Sequence, residues 1–318
     1  MLNSFCALES RYVGEDPIAN AYNFDFFVMI ECPTPWTKQA FNSKPIPENL
    51  RNLVEDFNKS GITVEFLLFY NEELKKPDVT RVFIFNKPTG FAQGYSKYEF
   101  AVSDINLVAP AVRKCLVDKN LEVYSLESTT RDIFICTHGS QDKCCAKFGN
   151  PFYHQAKTIV NNLGLNNVRI WQTTHFGGHR FAPTALDFPD ARYYARLDPE
   201  SFTALLTCTG NLDFIKRVYR GWAILPTEAQ VLEREMILMY GWQWFNFKVT
   251  HQIITQSDDG KFNRIELSFI KPDGSFDTVQ ADVLVDDNKT LYLKDCSGGE
   301  AEIIPQYYVQ NLLTYVNA

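Results

Sequence analysis

The stretch RDIFICTHGSQDKCCAKFGNP, residues 131–151, decides how the chain is read. Ile133, Phe134 and Ile135 are strand formers, and they run straight into a polar loop carrying Cys136, His138, Cys144 and Cys145. A helix-like run from about residue 145 to 162, closed by Gly164, follows the loop. Strand, reactive loop and helix in that order open an α/β unit. The next strand-like run, NVRIWQTT (167–174), leads into HFGGHRFAP (175–183), with His175 and His179 flanking two glycines. ARYYARL (191–197) and helices after Pro199 and Asn211 complete the unit.

The first half of the chain has a similar order. NFDFFVMIE (23–31) precedes a helix over about 48–59, then ITVEFLLFY (62–70), TRVFIFN (80–86), SKYEFAV (96–102) and a helix over 107–117. In both halves the first strand ends at a cysteine and a polar loop, FVMIECPTPW (27–36) beside IFICTHGSQD (133–142). The expected fold is α/β: two tandem thioredoxin-like units with a small C-terminal antiparallel β extension. The expected domains are 1–125, 126–225 and 226–318, with the first junction in the aperiodic stretch near 118–130. In the extension, a helix (226–241) precedes strand-like runs at 244–255, 263–270 and 290–295, and the tail (303–316) reads as a closing helix. YGWQWFNF (240–247) reads as a strand with one buried face and DVLVDDN (282–288) as a solvated turn.

Composition narrows the class of protein. The 318 residues are 45% hydrophobic, 14% aromatic and 22% charged, which suits a packed globular chain. A net charge of -7 without long runs of one sign argues against a nucleic-acid or anionic-membrane partner. Apolar stretches such as VEFLLFY (64–70) are too short to span a bilayer, and the N-terminus does not resemble a secretory signal. A cytoplasmic location is expected, where the eight cysteines stay reduced and a clustered subset points to metal or catalysis. Cys6, Cys32, Cys115, Cys208 and Cys296 are scattered and are expected to be small apolar residues.

The loop cysteines admit several chemistries. Cys136-Thr-His138 opens like a Rieske ligand loop, yet no C-x-x-H follows. No C-x-x-C for a zinc knuckle or thioredoxin-type redox pair is present, and a Cys144–Cys145 disulfide would be strained. The partners lie downstream. Gly177 and Gly178 let a loop present His175 and His179 together, and neighbouring parallel strands deliver both loops to one sheet edge. Two thiolates and two imidazoles suit tetrahedral zinc or a mixed-ligand iron–sulfur cluster, and spacing leaves both open.

The pattern C-T-H-G-x-x-D-x-C-C, with H-x-G-G-H-R-F-A about forty residues on, resembles the sucrase/ferredoxin-like family. EDPIANAY (15–22), ECPTPW (31–36) and YRGWAILP (219–226) extend the likeness over about 1–226. The resemblance implies a thioredoxin-like ferredoxin with a 2Fe-2S cluster, Cys136 and Cys145 on one iron and His175 and His179 on the other. Such a chain is a one-electron carrier, proton-coupled through its imidazoles, that meets a reductase or an electron acceptor and is not a stand-alone enzyme. Asp142, Thr174 and Arg180 are candidates to orient the histidines. Family members usually show Gly-Thr-Ala where this chain has Ala19-Asn20-Ala21. A thiol–disulfide oxidoreductase using Cys136 or Cys145, and a zinc-stabilised interaction module, are the alternatives.

Overall fold

The computed structural model describes residues 5–117, 130–294, 296 and 300–316. The expected domain junction, with its 125/126 boundary, falls outside the described residues. A short helix α1 (Cys6–Tyr12) precedes β1 (Phe26–Glu31), α2 (Glu48–Asn58), β2 (Val64–Tyr70), β3 (Thr80–Asn86), β4 (Ser96–Val102) and α3 (Val108–Val117). The second half supplies β5 (Arg131–Cys136), α4 (Asn150–Asn162), β6 (Val168–Thr173), β7 (Ala185–Phe188), β8 (Arg192–Tyr194), α5 (Pro199–Thr207), α6 (Ile215–Val218) and β9 (Tyr219–Trp222). The helices form where apolar residues recur at helical spacing: α2 buries Leu50, Leu53 and Phe57, and α4 buries Phe152, Tyr153, Ala156 and Val160 behind a proline in its first turn.

The strands form one mixed sheet of nine, in the order β4-β3-β1-β2-β6-β5-β7-β8-β9. Within it β1 and β2 run parallel, as do β5 and β6, and the remaining pairings are antiparallel. The halves join through β2 and β6, where only Phe69↔Thr173 and Tyr70↔Gln172 are in register. Side chains lengthen that short seam. The Thr173 hydroxyl donates to the Leu68 carbonyl (2.9 Å), the Leu68 N–H donates to Thr174 Oγ1 (3.0 Å), and Asn71 Nδ2 donates to the Ile170 carbonyl (2.8 Å).

Strand alternation sorts β1 between two cores. Val28 and Ile30 face α2 and α3, whereas Phe27 and Met29 face the second half of the sheet. The sheet folds over at the seam, so Phe85 of β3 stacks on Phe188 of β7 at 3.9 Å although the two strands lie on opposite sides of it. Phe69, Phe83, Phe134 and Trp171 fill the fold with ring contacts of 4.9 to 6.4 Å. At one end of this layer Asp132, fully buried, accepts from Lys97 Nζ (2.5 Å), Arg169 Nε (2.7 Å) and Trp171 Nε1 (2.7 Å). Lys97 belongs to the first half, so this carboxylate binds the halves together.

The C-terminal part begins with α7 (Thr227–Tyr240) and continues as β10 (Lys248–Gln256), β11 (Phe262–Ile270), β12 (Phe276–Val285), β13 (Leu291–Leu293), β14 (Glu302–Ile304) and β15 (Tyr307–Val316). β10-β11-β12-β15 is a small antiparallel sheet, and β13 pairs separately with β14. Glu233 of α7 holds Arg192 of β8 (2.7 Å) in full burial, which ties this part to the large sheet.

Three sequence expectations change here. The tail (303–316) is not a helix: its apolar residues mimic a helical period, but the open edge of β12 pairs with β15 over eight register positions, and strand-forming Tyr and Val take that non-local pairing. YGWQWFNF is not a strand but a 3-10 turn (Gly241–Asn246) continuing α7, where Trp244 Nε1 donates to Glu233 (2.9 Å). In DVLVDDN, residues 282–285 belong to β12 and only the remainder turns. Strands β7, β9 and β12 were not evident from sequence.

Replacing Asp132 by Ala leaves Lys97 and Arg169 without their shared buried anion. The expected cost is about 3–5 kcal/mol, read as a lower urea midpoint with an unchanged slope.

Candidate metal centre

β5 and β6 pair in parallel up to Cys136↔Thr173, so the loops that follow them leave the sheet at one edge. Cys136 is the last residue of β5. The chain returns through residues 137–144, and Cys145 opens a wide helical turn (Cys145–Gly149) that feeds α4. That turn lies tight against the strand end: a Cβ on Gly149 would sit 1.9 Å from the Cys136 carbonyl oxygen, so only glycine fits. His175 follows β6 by two residues.

These placements bring Cys136, Cys145 and His175 together, with ligand atoms all within 4.8 Å of one another. His175 Nδ1 is 3.5 Å from Cys145 Sγ and 3.9 Å from Cys136 Sγ. His179 is one ring further out, its plane 28° from that of His175 and the centroids 5.6 Å apart. Both cysteines are 1% exposed, whereas both histidines are half-buried. His175 borders a depression of about 170 Å³ that Lys38, Phe41 and Gln141 also line.

The local electrostatics favour one anion here. Burial raises the Cys136 thiol, but hydrogen bonding from Cys145 and His175, and the charge of His175, hold it well below its ordinary value. Cys145, as the donor to Cys136, is pushed far up. Burial lowers His175, and the Cys136 thiolate more than offsets that and raises it. A cation beside two sulfurs replaces the proton these groups share.

Gly177 and Gly178 have φ of 82° and 71°, and their backbones are approached from both sides. A Cβ at Gly177 would meet the Tyr22 ring at 2.5 Å, and one at Gly178 would meet the Arg220 guanidinium at 2.6 Å. Arg220 Nη2 donates to the Asn20 carbonyl (2.7 Å) and Nη1 to the Gly177 carbonyl (3.3 Å), so residues 15–22 and 219–226 hold the histidine loop. Of the three candidates to orient the histidines, only Asp142 reaches one, its Oδ2 lying 3.9 Å from His179 Nδ1. Arg180 pairs with Glu15 (2.6 Å), and Thr174 is engaged at the β2–β6 seam.

His138 takes no part in this cluster; it fixes the loop. Its Nε2–H donates to the Thr37 carbonyl (2.8 Å), its Nδ1 accepts from the His175 N–H (3.2 Å), and its ring meets Trp36 edge-on at 5.9 Å. Ser140 Oγ donates to the Trp36 carbonyl (2.6 Å). The loop after β1 thus supports the loop after β5. Cys32, at the corresponding place in the first half, is buried and pushed up to about 12 by that burial. Cys115 is likewise buried, and Cys208 is exposed. Cys6 and Cys296 are not scattered in space: both lie against Cys144, a juxtaposition with no local sequence signal because they are 138 and 152 residues from it.

A family model, sucrase/ferredoxin-like, matches residues 17–221. The chain belongs to the sucrase/ferredoxin-like family. The matched span holds Cys136, Cys145, His175 and His179 and leaves Cys6 and Cys296 outside. Among characterised relatives, altered inheritance of mitochondria protein 32 of Meyerozyma guilliermondii is 28% identical over 108 residues, which is 32% of this chain and 38% of that protein. Among solved structures, a thioredoxin-like [2Fe-2S] ferredoxin from Aquifex aeolicus aligns at 13% identity over 24% of this chain and 76% of its own, with a TM-score of 0.22. An overlap that slight fixes no fold. Among the described residues, no helix is long and apolar enough to cross a membrane.

Two predictions follow from the supports of this sucrase/ferredoxin-like centre. Burial lowers His138, so the unfolded chain takes up a proton near pH 6.5 that the folded protein resists. Stability from this group is present above that pH and is lost as pH falls below it. His138→Ala should cost roughly 2–3 kcal/mol at pH 8 and flatten the loss between about pH 6.5 and 5, read from urea unfolding at each pH. Ala19 has φ of 66°. Ala19→Gly should relieve the left-handed strain and stabilise by up to about 1 kcal/mol, read from thermal unfolding.

Proposed function

We propose that the chain is a one-electron carrier that holds a 2Fe-2S cluster through Cys136, Cys145, His175 and His179. The observation that carries this reading is the meeting of two buried thiols and an imidazole at the shared end of two parallel strands, with a second imidazole stacked outside. The donor set fits: thiolates for one iron and neutral imidazoles for the other. The bound cluster would supply a centre that takes up and returns one electron, at a potential above that of an all-thiolate ferredoxin.

The chain's own residues set the terms of that exchange. Cys136 and Cys145 seal the sulfur end from water, and the histidines lie at the accessible end, where a reductase or an electron acceptor would dock. His175 turns Nδ1 to the sulfurs, which leaves Nε2 to exchange a proton with solvent through the adjoining depression. Asp142 Oδ2 lies 3.9 Å from Nδ1 of His179, so Nε2 is the nitrogen that ring would offer to iron. Burial of both thiols also disfavours a thiol–disulfide oxidoreductase, whose nucleophile must reach a substrate.

The shared pairing order, β1/β2 and β5/β6 parallel with β3 and β7 antiparallel outside them, supports two tandem thioredoxin-like units over 1–125 and 126–225, with 226–318 as an extension. A reducing compartment such as the cytoplasm suits the chain's eight cysteines.

One observation favours a second reading. Sulfur–nitrogen separations of 3.5 and 3.9 Å suit the edges of a single tetrahedral ion, so a zinc-stabilised module is the competitor. Anaerobic preparation followed by absorption, EPR and iron and sulfide analysis separates the two. About two irons and two sulfides per chain with a reduced-state EPR signal are expected; a colourless, EPR-silent protein with zinc bound at Cys136 after reconstitution would sink the cluster. His179→Cys should lower the midpoint potential by roughly 100 mV or more. It should also reduce a wild-type dependence of up to about 59 mV per pH unit for each coupled proton.

A further inference from the structure

Cys6 of α1, Cys144 of the cluster loop and Cys296 of the C-terminal part come from three distant stretches of the chain. Their sulfurs form a triangle with edges of 3.4 Å (Cys6–Cys144), 3.3 Å (Cys144–Cys296) and 2.7 Å (Cys6–Cys296). The carboxylate of Asp142 completes a set of four ligand atoms within 4.8 Å of one another. These sulfurs are closer than packed apolar atoms, which meet at about 4 Å, and the Cys6–Cys296 edge is well beyond the 2.05 Å of a disulfide. Thiolates about 2.3 Å from a tetrahedral zinc are about 3.8 Å apart, so the three sulfurs would spread by about 0.4 to 1.1 Å on taking up the ion.

The surroundings suit a closed structural site. Cys6 and Cys144 are buried, and Ala7 and Ala182 pack against them with Phe5 and Phe148 at the edge. The Cys6 N–H points at Cys296 Sγ (3.2 Å), and the Cys144 N–H at Asp142 Oδ1 (2.7 Å), so backbone donors face ligand atoms. Three thiols and one carboxylate gathered from positions 6, 142, 144 and 296 are an expensive way to fill a core and an ordinary way to hold a soft divalent cation.

We propose that Cys6, Cys144, Cys296 and Asp142 form a second metal site that takes one tetrahedral zinc ion. Binding forms three Zn–S bonds and one Zn–O bond and releases the thiol protons to solvent, with no change of oxidation state. The ion fastens α1 and the C-terminal part to the loop that carries Cys145. Its Asp142 ligand also faces His179, so the second site adjoins the first through one carboxylate. The assignment holds whatever the first centre contains.

The test uses the full-length chain expressed with zinc, metal content measured after anaerobic purification, and X-ray absorption at the zinc edge. The wild type should hold one tightly bound zinc with three sulfurs at about 2.3 Å and one oxygen. Cys6→Ser and Cys296→Ser should reduce that zinc to about a tenth of an equivalent or less while iron at the first centre is kept. Cys136→Ser should lose iron and keep zinc, and Cys208→Ser should keep both. The proposal fails if the wild type binds no zinc or has a Cys6–Cys296 disulfide. It also fails if the zinc that Cys136→Ser retains has imidazole nitrogen in its shell, or if all zinc follows Cys136 and none follows Cys6. The absorption spectrum of the wild type decides even if a variant does not fold, and loss of iron alone bears on the first centre only.

Discussion

Strand β6 carries two obligations at once. It lies parallel to β5, which sends the loops of Cys136 and His175 off the same edge, and antiparallel to β2, which fuses the two halves of the sheet. The parallel pairing converts two sequence segments about forty residues apart into neighbours. The antiparallel seam is short and would be weak alone. Its strength comes from what closes over it: the aromatic layer from Phe69 to Phe188 and the buried carboxylate of Asp132 between Lys97 and Arg169. Buried charge of this kind is costly to leave unpaired, so the halves register in one way.

The same logic extends to the centre. A loop that holds two buried sulfurs beside an imidazole without collapsing needs supports outside that cluster. His138 bonded to Thr37 and the His175 N–H supplies one, and Arg220 bridging Asn20 and Gly177 supplies another. Both reach outside the second half, to the loop after β1 and to the segment near Ala19. The first half therefore acts on the centre mechanically, although its own cysteine, Cys32, is buried and inert.

Local pattern carried much of this. β3 and β5 coincide with the runs TRVFIFN and RDIFIC, because strands covered on both faces are near-continuous apolar runs, and β4 coincides with SKYEFAV, whose aromatic and β-branched residues suit a sheet edge. The grouping of Cys136 and Cys145 with His175 was approachable for the same reason, since it needs only two adjacent parallel strands. What failed was non-local. Tyr307–Val316 has residues that satisfy a helix stripe and a strand face equally, and the edge of β12 decides. Gly241 and Trp244 turn YGWQWFNF into a continuation of α7 because Glu233 is there to accept from the indole. The role of His138 depends on Thr37, a residue with no pattern of its own.

Asp142 shows why the order of residues in the CTHGSQDKCC loop matters physically. Its two oxygens face opposite ways, one to the Cys144 N–H and one toward His179. A carboxylate so placed accepts from the Cys144 N–H and anchors the residue before Cys145. Cys144 beside it is fully buried, and in a low-dielectric setting a charge acts over a few ångströms. Cys6 and Cys296, from α1 and the C-terminal part, meet this loop at Cys144, whose N–H donates to Asp142. That makes α1 and the C-terminal part, remote in sequence from residues 136–145, part of the packing around that loop.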